Sequence, residues 1–313
     1  MKDKLTTIAA CLIFLAGAAI FSYPLAKNWY YDYSTSHVLD NYMDEIKTLS
    51  KQTTDKIQNS TTSTNQISEA EDILPDLYQE MSLYNQTLFE DKQKDLTDPF
   101  SYESASFDLT EYGLSDNIIG YLTIPAMDVE LPIYLGANEE NLAKGAVHLG
   151  QTSMPIGGIN TNVVLAAHRG YKGIPMFRDI QNLKTGDIIT VTTLWDTLTY
   201  QVLKTEIILP DEINKILIQP GADMLTLFTC HPYRQNSHRY VVYCERILEE
   251  DKAAPEKTET VPSDSGTLQT DMEKEDSITS SRQQILMDRY VPIGGIVFLV
   301  LLFILCMIGL KKK

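Results

Sequence analysis

The sequence predicts a mainly β domain, a barrel or a sandwich, held between two membrane-spanning helices. Residues 5–26 and 290–310 contain no charged side chain, and each stretch is long enough to cross a hydrocarbon core of roughly 30 Å. From about Ile118 onwards, short runs rich in β-forming residues alternate with Gly, Pro and Asn turns. No long helical pattern separates these runs, which argues against a doubly wound α/β sheet.

Lysines flank both uncharged segments on the side away from the β region. Lys2 and Lys4 precede the first segment, and Lys311–Lys313 follow the second. Because positive charge stays on the cytoplasmic side, we expect residues 1–4 and 311–313 inside the cell and the region between the helices outside. We interpret residues 5–26 as an uncleaved signal anchor. A cleaved signal peptide is the alternative, although residues 22–26 form a poor cleavage site.

Two polar regions connect the membrane helices to the β domain. Residues 27–95 have apolar residues at helical spacing, and the Ser/Thr/Asn run at 59–65 separates two helices. We expect these helices to lift the domain off the membrane and pack against its side. Residues 251–289, largely polar and without apolar periodicity, are predicted to form a disordered tether. The net charge of −16 argues against a nucleic-acid partner, because such proteins need a basic face.

The predicted strands follow one another at short intervals over the β region. Trp195–Leu198 suits a tight turn between two of them, and residues 173–187 read as a short helix or turn. The predicted strand runs are residues 118–125, 129–136, 162–168, 187–210 (interrupted by that turn), 224–230 and 239–248.

Only Cys230 and Cys244 of the four cysteines lie outside the membrane segments, a low count for a disulfide scaffold. If residues 225–230 and 239–247 pair as an antiparallel hairpin, Cys230 lies opposite about Tyr240 and Cys244 opposite about Thr226. That separation is too long for a disulfide. We therefore expect two free thiols, with a disulfide between them as the alternative.

A free exported cysteine is a candidate nucleophile, and it needs a base or a positive neighbour to form the thiolate. The histidines at 148, 168, 231 and 238 are candidate bases. His231 is adjacent to Cys230, so the two side chains of an extended strand point to opposite faces, and His238 has the same relation to Arg239. His168 ends an apolar strand, where sites of barrels and sandwiches gather. It is the favoured base, with His148 second.

Arginine is a dependable partner for a developing oxyanion because its charge is permanent. Arg239 lies across from Cys230 if the intervening loop closes a hairpin, whereas Arg169 and Arg234 are weaker candidates. A metal cluster of Cys230, His231 and His238 is the competing interpretation. Adjacent ligands are not the usual spacing of a structural zinc, and the sequence has no CxxC, so we predict no metal.

These residues carry a resemblance to a known family. "TLFTC" at 226–230 resembles the TLxTC signature of the sortases, membrane-anchored cysteine transpeptidases of Gram-positive bacteria. Arg239 stands nine residues after the cysteine, as in pilus-type sortases, and "AAHRGYKGIPMFRDI" resembles their catalytic-histidine segment. Residues 119–158 are similar to the family's early barrel strands and helix. The resemblance covers about residues 117–248 and implies a closed eight-stranded β-barrel with short helices over residues 102–250, with His168 as the working histidine.

A further motif resembles class C sortases, the pilin polymerases. "LTDPF" at 96–100 is similar to their DPW/DPF lid, so residues 96–101 are a candidate lid. The resemblance implies that Asp98 contacts Arg239 and that Phe100, after Pro99, covers Cys230. His231 and Arg234 stand where many relatives carry uncharged residues, which leaves substrate preference open.

The resemblance also implies the chemistry. Cys230 attacks the threonine carbonyl of an LPxTG-type sorting signal of a surface protein or pilin, Arg239 stabilises the oxyanion or substrate, and Thr229 helps donate to the oxyanion. His168 protonates the leaving glycine amine, and a pilin lysine or a cell-wall peptide amine then resolves the thioester. No metal or organic cofactor is needed. The alternatives are a housekeeping sortase that anchors proteins to peptidoglycan, a cell-wall cysteine hydrolase, and a non-enzymatic adhesin.

Overall fold

Eight strands form a closed barrel in the computed structural model, which describes residues 2–59, 73–94, 96, 104–171, 174–248 and 268–311. In order around the barrel they are β1, β2, β3, β4, β7, β8, β6 and β5, and β5 pairs with β1 to close it. The strands are β1 (Ile118–Ile124), β2 (Val129–Leu135), β3 (Ala146–His148), β4 (Thr161–Ala166), β5 (Ile188–Thr193), β6 (Thr197–Ile208), β7 (Asp223–His231) and β8 (His238–Arg246). The barrel that the sequence resemblance implies is therefore confirmed.

Strand composition follows burial. Strand β5 alternates buried and more exposed residues, as expected of a strand with one face in the barrel core. Strands β4 and β7 pair in parallel and are buried on both faces. Both strands accordingly have apolar side chains at consecutive positions, Val163–Ala166 in β4 and Leu227–Phe228 in β7, rather than a strict alternation. The strands that will carry the site are thus the best-covered part of the sheet.

The helices that the structure describes are α1 (Lys2–Asn59), α2 (Pro75–Glu90), α3 (Glu139–Lys144) and α4 (Leu268–Lys311). Helix α1 ends where the Ser/Thr/Asn run begins, as the sequence indicates. Short 3-10 turns connect several strands, including Ile180–Asn182 in the region predicted as a helix or turn. The three-residue strand β3 was not predicted, because so short a segment carries no periodicity of its own.

The N-terminal helices pack on the side of the barrel. The Tyr42 hydroxyl of α1 donates to the Ile119 carbonyl at 2.8 Å. On α2, the Asn85 amide accepts from the Met154 N–H at 2.7 Å and donates to the Met154 carbonyl at 3.2 Å. These buried bonds pair backbone groups of the barrel with side chains of the two helices. They fix the helices to the barrel wall, in agreement with the expected side packing.

Among the residues that the structure describes, two helical segments are long and apolar enough to cross a membrane: Thr7–Lys51 in α1 and Ser277–Cys306 in α4. The two helices contact each other, with the Phe14 and Phe303 rings 4.5 Å apart. A Cβ atom at Gly295 would lie 2.3 Å from the Phe21 ring. Such a close approach needs glycine, as is common where membrane helices meet.

The prediction that residues 251–289 form a disordered tether is wrong for the second half of this range. Residues 268–289 belong to α4, which runs without a break into the membrane stretch. In residues 277–289 one face of the helix is covered and the rest is open: Ser281 and Ile285 are buried, while Arg282 and Gln283 are exposed. Composition alone does not distinguish such a helix from a tether. Residues 251–267 lie outside the described residues.

In the β7–β8 hairpin, the residues opposite the two cysteines differ by one position from those expected from the sequence. Cys230 pairs with Arg239 and Cys244 pairs with Leu225, instead of Tyr240 and Thr226. The pairing of Cys230 with Arg239 is the one expected from the closed hairpin. Both thiols are free, so the alternative of a disulfide between them is excluded.

Candidate active site

Three adjacent strands bring the predicted catalytic residues to one edge of the barrel. Strands β4 and β7 run parallel with Ala166 opposite Phe228. His168 and Cys230 each lie two residues farther along, so they lie at the same level, with Cys230 still within β7 and His168 just beyond the end of β4. On the other side of β7, Cys230 pairs directly with Arg239 of β8. Directly paired residues on neighbouring strands project to the same face, so the cysteine and the arginine lie side by side at this rim.

The nucleophile candidate is accessible but sheltered. Cys230 is only partly buried, whereas Phe228 and Thr229 just before it are fully buried. The strand that carries the thiol is therefore fixed by the core, and near its end Cys230 is partly exposed between the buried residues Thr229 and His231. Such placement gives a rigid sulfur atom that a substrate can reach.

His168 lies in a pocket that disfavours its charged form. Burial lowers the pKa of His168 below its ordinary value, with a small opposing effect from Glu139. The Tyr171 ring stacks on the imidazole, with the ring centroids 4.8 Å apart and the planes 10° from parallel. The His168 carbonyl accepts from the Phe177 N–H at 3.0 Å. The neutral, stacked ring is suited to accept and return a proton near neutral pH.

Arg239 is buried, with 7% of its surface exposed. Its Nη1 atom donates to the carbonyls of Asn236 and His238, each at 3.1 Å. The loop that connects β7 to β8 thus orients the guanidinium beside Cys230. A buried cation at this position can stabilise a thiolate or an oxyanion.

A second arginine approaches the cysteine and was underrated by the sequence reasoning. Arg169 is 4% exposed, its guanidinium stands 5.5 Å from the Tyr240 ring centre, and its Nη2 donates to Gln181 at 2.5 Å. Burial lowers the pKa of Arg169 to about 10, opposed by the charges of neighbours that include Tyr240 and Cys230. It stays charged at neutral pH and adds positive potential at the rim. The signal in the sequence was the presence of a cationic and an aromatic residue, Arg169 and Tyr171, directly after the candidate base His168.

The remaining histidines have other surroundings. His148 is fully buried in β3, where Nε2 lies 2.9 Å from the Ser153 carbonyl, and burial lowers its pKa to about 4. His231 projects away from Cys230 and bonds to Arg169 and to Ser277 of α4. His238 bonds to Ser237 at 2.9 Å. The geometry of the rim therefore favours His168 over the other candidates.

Thr229 ties the two catalytic strands together. Its hydroxyl donates to the Ala167 carbonyl at 2.6 Å, so this proton is engaged next to His168. Any oxyanion donor from Thr229 is accordingly left to its backbone. The lid candidates Asp98, Pro99 and Phe100 lie outside the described residues.

Arg234, the other weaker arginine, lies at the surface with 66% of its side chain exposed and pairs with Asp288 of α4 at 2.9 Å. It stands on the loop between Cys230 and Arg239, away from the rim itself.

A thiol, an imidazole and two guanidinium groups at one rim can perform acyl transfer. The thiol supplies the nucleophile, the imidazole moves a proton, and the arginines offset negative charge on sulfur or on a tetrahedral oxygen. All four groups come from the ends of β4, β7 and β8 or from the residues just after β4. Their positions are consequently set by the barrel itself.

Comparison with known proteins agrees with this geometry. The family model described as "Sortase domain" matches residues 122–247. Sortase D of Bacillus subtilis (strain 168) is 31% identical over 131 residues, which cover 41% of this chain and 63% of that relative. The chain thus spans a little under two thirds of the length of this curated relative.

Solved structures extend the similarity. Streptococcus pneumoniae Sortase C, whose crystal structure is described in terms of catalysis and pilin substrate specificity, is 33% identical with a TM-score of 0.52, and the match covers 66% of this chain and 97% of that one. Streptococcus agalactiae Sortase C1 is 34% identical with a TM-score of 0.51, over 58% of this chain and 90% of that one.

Proposed function

Because the chain belongs to the sortase family, we propose that it is a class C-type cysteine transpeptidase that joins pilin subunits. Its substrate is an LPxTG-type sorting signal near the C-terminus of a surface protein or pilin. The observation that supports this proposal most directly is the level arrangement of His168, Cys230 and Arg239 on the adjacent strands β4, β7 and β8.

In the first half-reaction, His168 takes the proton of the Cys230 thiol, and the sulfur then attacks the carbonyl carbon of the substrate threonine. Arg239 offsets the negative charge on the tetrahedral oxygen. The bond to the glycine nitrogen breaks, and His168 donates a proton to that nitrogen so that it leaves as an amine. The product is a thioester between Cys230 and the threonine.

In the second half-reaction, an amine attacks the thioester carbonyl. His168, now neutral, takes the proton that the amine loses, and the sulfur leaves as a thiolate beside Arg239 and Arg169. A new amide forms between the threonine and the acceptor, so the bonds formed and broken balance without an outside energy source. For a pilin polymerase the acceptor is a lysine side chain of the next subunit.

The choice of pilin rests on the names of the structural relatives, which are pilus sortases, and on the lid-like motif at residues 96–100. The second candidate is a housekeeping role, in which a cell-wall peptide amine is the acceptor. Its support is a curated relative, Sortase A of Bacillus anthracis, which is 34% identical over 125 residues. The two roles share the first half-reaction and differ only in the acceptor.

We also propose that α1 and α4 anchor the chain in the cell membrane, with both ends inside and the barrel on the extracellular face. Lysines beyond both uncharged stretches support this orientation. Substrates with their own membrane tails would then meet the enzyme in the same plane, which raises the effective concentration.

The test uses the full chain in lipid nanodiscs with an LPxTG peptide. Wild type is expected to form a thioester on Cys230 and to transfer the peptide to an added amine, with lysine-bearing pilin and wall-peptide amines compared as acceptors. The Cys230→Ala variant is the control. Cleavage that persists in this variant, or release to water that no amine diverts, would contradict a transpeptidase and favour a hydrolase.

A further inference from the structure

The part of α4 that precedes the uncharged membrane stretch lies against the catalytic rim. We call residues Ser277–Arg289 the juxtamembrane segment. Within it, Ser281 and Ile285 are 1% and 4% exposed, whereas Gln283 is exposed to solvent. Ser277, Ser281 and Ile285 are spaced by four residues and so share one helix face. It is this face that meets the barrel.

Three bonds connect this face to the loop that follows Cys230. The Ser277 hydroxyl lies 2.9 Å from His231 Nε2. The Ser281 hydroxyl accepts from the Tyr233 N–H at 3.1 Å and itself donates to the Ser277 carbonyl at 2.8 Å. The Tyr233 hydroxyl donates to Asp288 at 2.8 Å. The helix thus provides partners for both main-chain and side-chain groups of the loop.

Arg234 extends the contact. Its Nη2 atom donates to both carboxylate oxygens of Asp288, at 2.9 and 3.1 Å. The backbone of Arg234 is in the left-handed region with φ 67°, and Asn236 follows with φ 63°. Left-handed backbone is unfavourable for an arginine and persists only where surrounding contacts impose it. The carboxylate of Asp288 is one such contact.

His231 joins the helix to the second arginine of the site. Arg169 bonds to His231 Nδ1, and a guanidinium can only donate. Nδ1 is therefore the acceptor, and the proton of the neutral ring lies on Nε2, which donates to Ser277. Burial, with the nearby charges of Arg169 and His238, lowers the pKa of His231 to about 3, so this arrangement holds at neutral pH.

The same helix reaches the loop that carries His168. Arg289 bonds to Asp179 at 2.7 Å, and the Asp179 carboxylate also contacts Arg178 at 3.3 Å. Asp179 lies in the connection from β4 to β5, the same connection in which His168 stands just after β4. The juxtamembrane segment consequently contacts both loops of the active site.

The loop held by this segment orients Arg239. The Asn236 and His238 carbonyls accept from Arg239 Nη1, and Asn236 lies two residues after Arg234. A shift of the loop away from α4 would therefore move the acceptors that place the guanidinium beside Cys230.

We propose that the juxtamembrane segment is a positioning element of the active site, which holds the 231–238 loop so that Arg239 lies beside Cys230. The inference rests on the proposed function, since it concerns the same cysteine. It makes the membrane helix more than an anchor: Ser281 and Asp288 act on catalysis through the loop, without touching substrate.

The experiment compares Ser281→Ala with Gln283→Ala, an exposed change on the same helix, in full-length protein in nanodiscs. For each, kcat and KM are measured for transfer from an LPxTG peptide to an amine. The alkylation rate of Cys230 by iodoacetamide is followed against pH by mass spectrometry of its peptide. A change in exposure scales the alkylation rate at every pH, whereas loss of a positive neighbour moves the midpoint upward.

We expect Ser281→Ala to lower kcat about ten- to hundredfold with KM within about twofold, and to raise the alkylation midpoint by about 0.5–1 pH unit. Gln283→Ala should match wild type. Equal behaviour of the two variants, or a kcat loss with no midpoint shift, overturns the inference. If wild type transfers no peptide yet the midpoint still moves, the proposed function fails and the positioning role stands.

A charge exchange covers the case in which Ser281→Ala lowers the unfolding temperature. Asp288→Arg and Arg234→Asp each place two like charges together and should each lower kcat. The double variant restores an ion pair across the same interface and is expected to recover at least half of the lost kcat. A double variant no better than the worse single variant contradicts the proposal.

Discussion

Cysteine and histidine each occur both at the rim of the barrel and in its body. At the rim, Cys230 is partly exposed and His168 stands beside it at the end of β4. In the body, Cys244 of β8 and His148 of β3 are 0% and 1% exposed. The residue types are the same, so any difference in chemistry comes from the surroundings.

In the body of the barrel, both the thiol of Cys244 and the imidazole of His148 are unreactive. Burial raises the pKa of the Cys244 thiol far above its ordinary value, so this sulfur stays protonated and inert. Burial lowers the pKa of His148 and keeps the ring neutral, while its Nε2 atom bonds to the Ser153 carbonyl and the Thr152 hydroxyl. At the rim, Arg239 pairs directly with Cys230, the charge of Arg169 is near enough to interact with the thiol, and His168 lies against an aromatic ring. Solvent access and positive neighbours, rather than residue type, make a site.

Replacement of the two cysteines should give the largest contrast. Cys230→Ala removes the nucleophile and is expected to lower transpeptidation by about 10⁴-fold or more with little change in unfolding temperature. Cys244→Ala should leave kcat/KM within about twofold and cost roughly 1 kcal/mol of stability, because it opens a small cavity. Peptide-transfer kinetics and thermal unfolding of the full chain measure both. Comparable kinetic losses in the two variants would show that the contrast is wrong.

The two histidines form the next pair. His168→Gln should lower kcat by about 10³-fold, the range of a lost general acid and base, and leave stability nearly unchanged. His148→Gln should leave the turnover of the folded protein intact and lower stability by about 1–3 kcal/mol, since it disturbs a buried hydrogen-bonded group. Activity normalised to folded protein separates the two. An inactive but fully stable His148 variant would reassign the base.

Strand β8 offers an arginine at each end. Arg239→Lys keeps the charge but loses the planar guanidinium held by the loop carbonyls, and we expect kcat to fall about 10²-fold. Arg246→Lys, at the opposite end near Asp196 (3.5 Å), is the matched control and should retain near-normal kcat. If both variants behaved alike, the effect would belong to the strand rather than to the rim.

The body of the barrel should also give a pH-dependent stability. The pKa of His148 is about 4 in the fold and about 6.5 in an unfolded chain. Below about pH 6.5 the unfolded chain binds a proton at His148, whereas the folded chain does not. The free energy of unfolding therefore falls as the pH drops from about 6.5 to 4, by up to about 3 kcal/mol. Thermal unfolding over this range tests it, with His148→Gln expected to flatten the slope. His231, whose pKa lies at about 3, leaves a residual slope of the same sign.

Local sequence was sufficient for the rim but not for everything around it. The apolar runs of β4 and β7 and the hairpin that pairs Cys230 with Arg239 follow from patterns within a few residues. Arg169 was underrated because its burial depends on His231 and Tyr240, which lie about 60 and about 70 residues away in the chain. The exact register at Cys244 also depends on the loop, where one residue more or less moves every pair.

The helical half of the supposed tether was missed for a related reason. Residues 268–289 are polar on most sides, and the face that decides their structure carries only small or isolated groups such as Ser281 and Ile285. These side chains gain partners only in the folded protein, where Tyr233 and the rest of its loop contact the helix. The polar composition of such a helix reflects its solvent-exposed surface. Its buried face can therefore be recognised only in the folded structure.

The smallest expected effect concerns access to Cys230 and rests on the sequence resemblance alone. If residues 96–101 act as a lid, Cys230 reacts only during the fraction of time in which it is uncovered. Phe100→Ala and Asp98→Ala should then raise its alkylation rate by about three- to tenfold, while Cys244 stays unreactive in every variant and serves as the internal reference. Leu83→Ala, an exposed change on α2 (62% exposed), is the control. If labelling of Cys230 were unchanged in both lid variants, residues 96–101 would not cover Cys230. The difference in reactivity between the rim and the body would then come from electrostatics and burial alone.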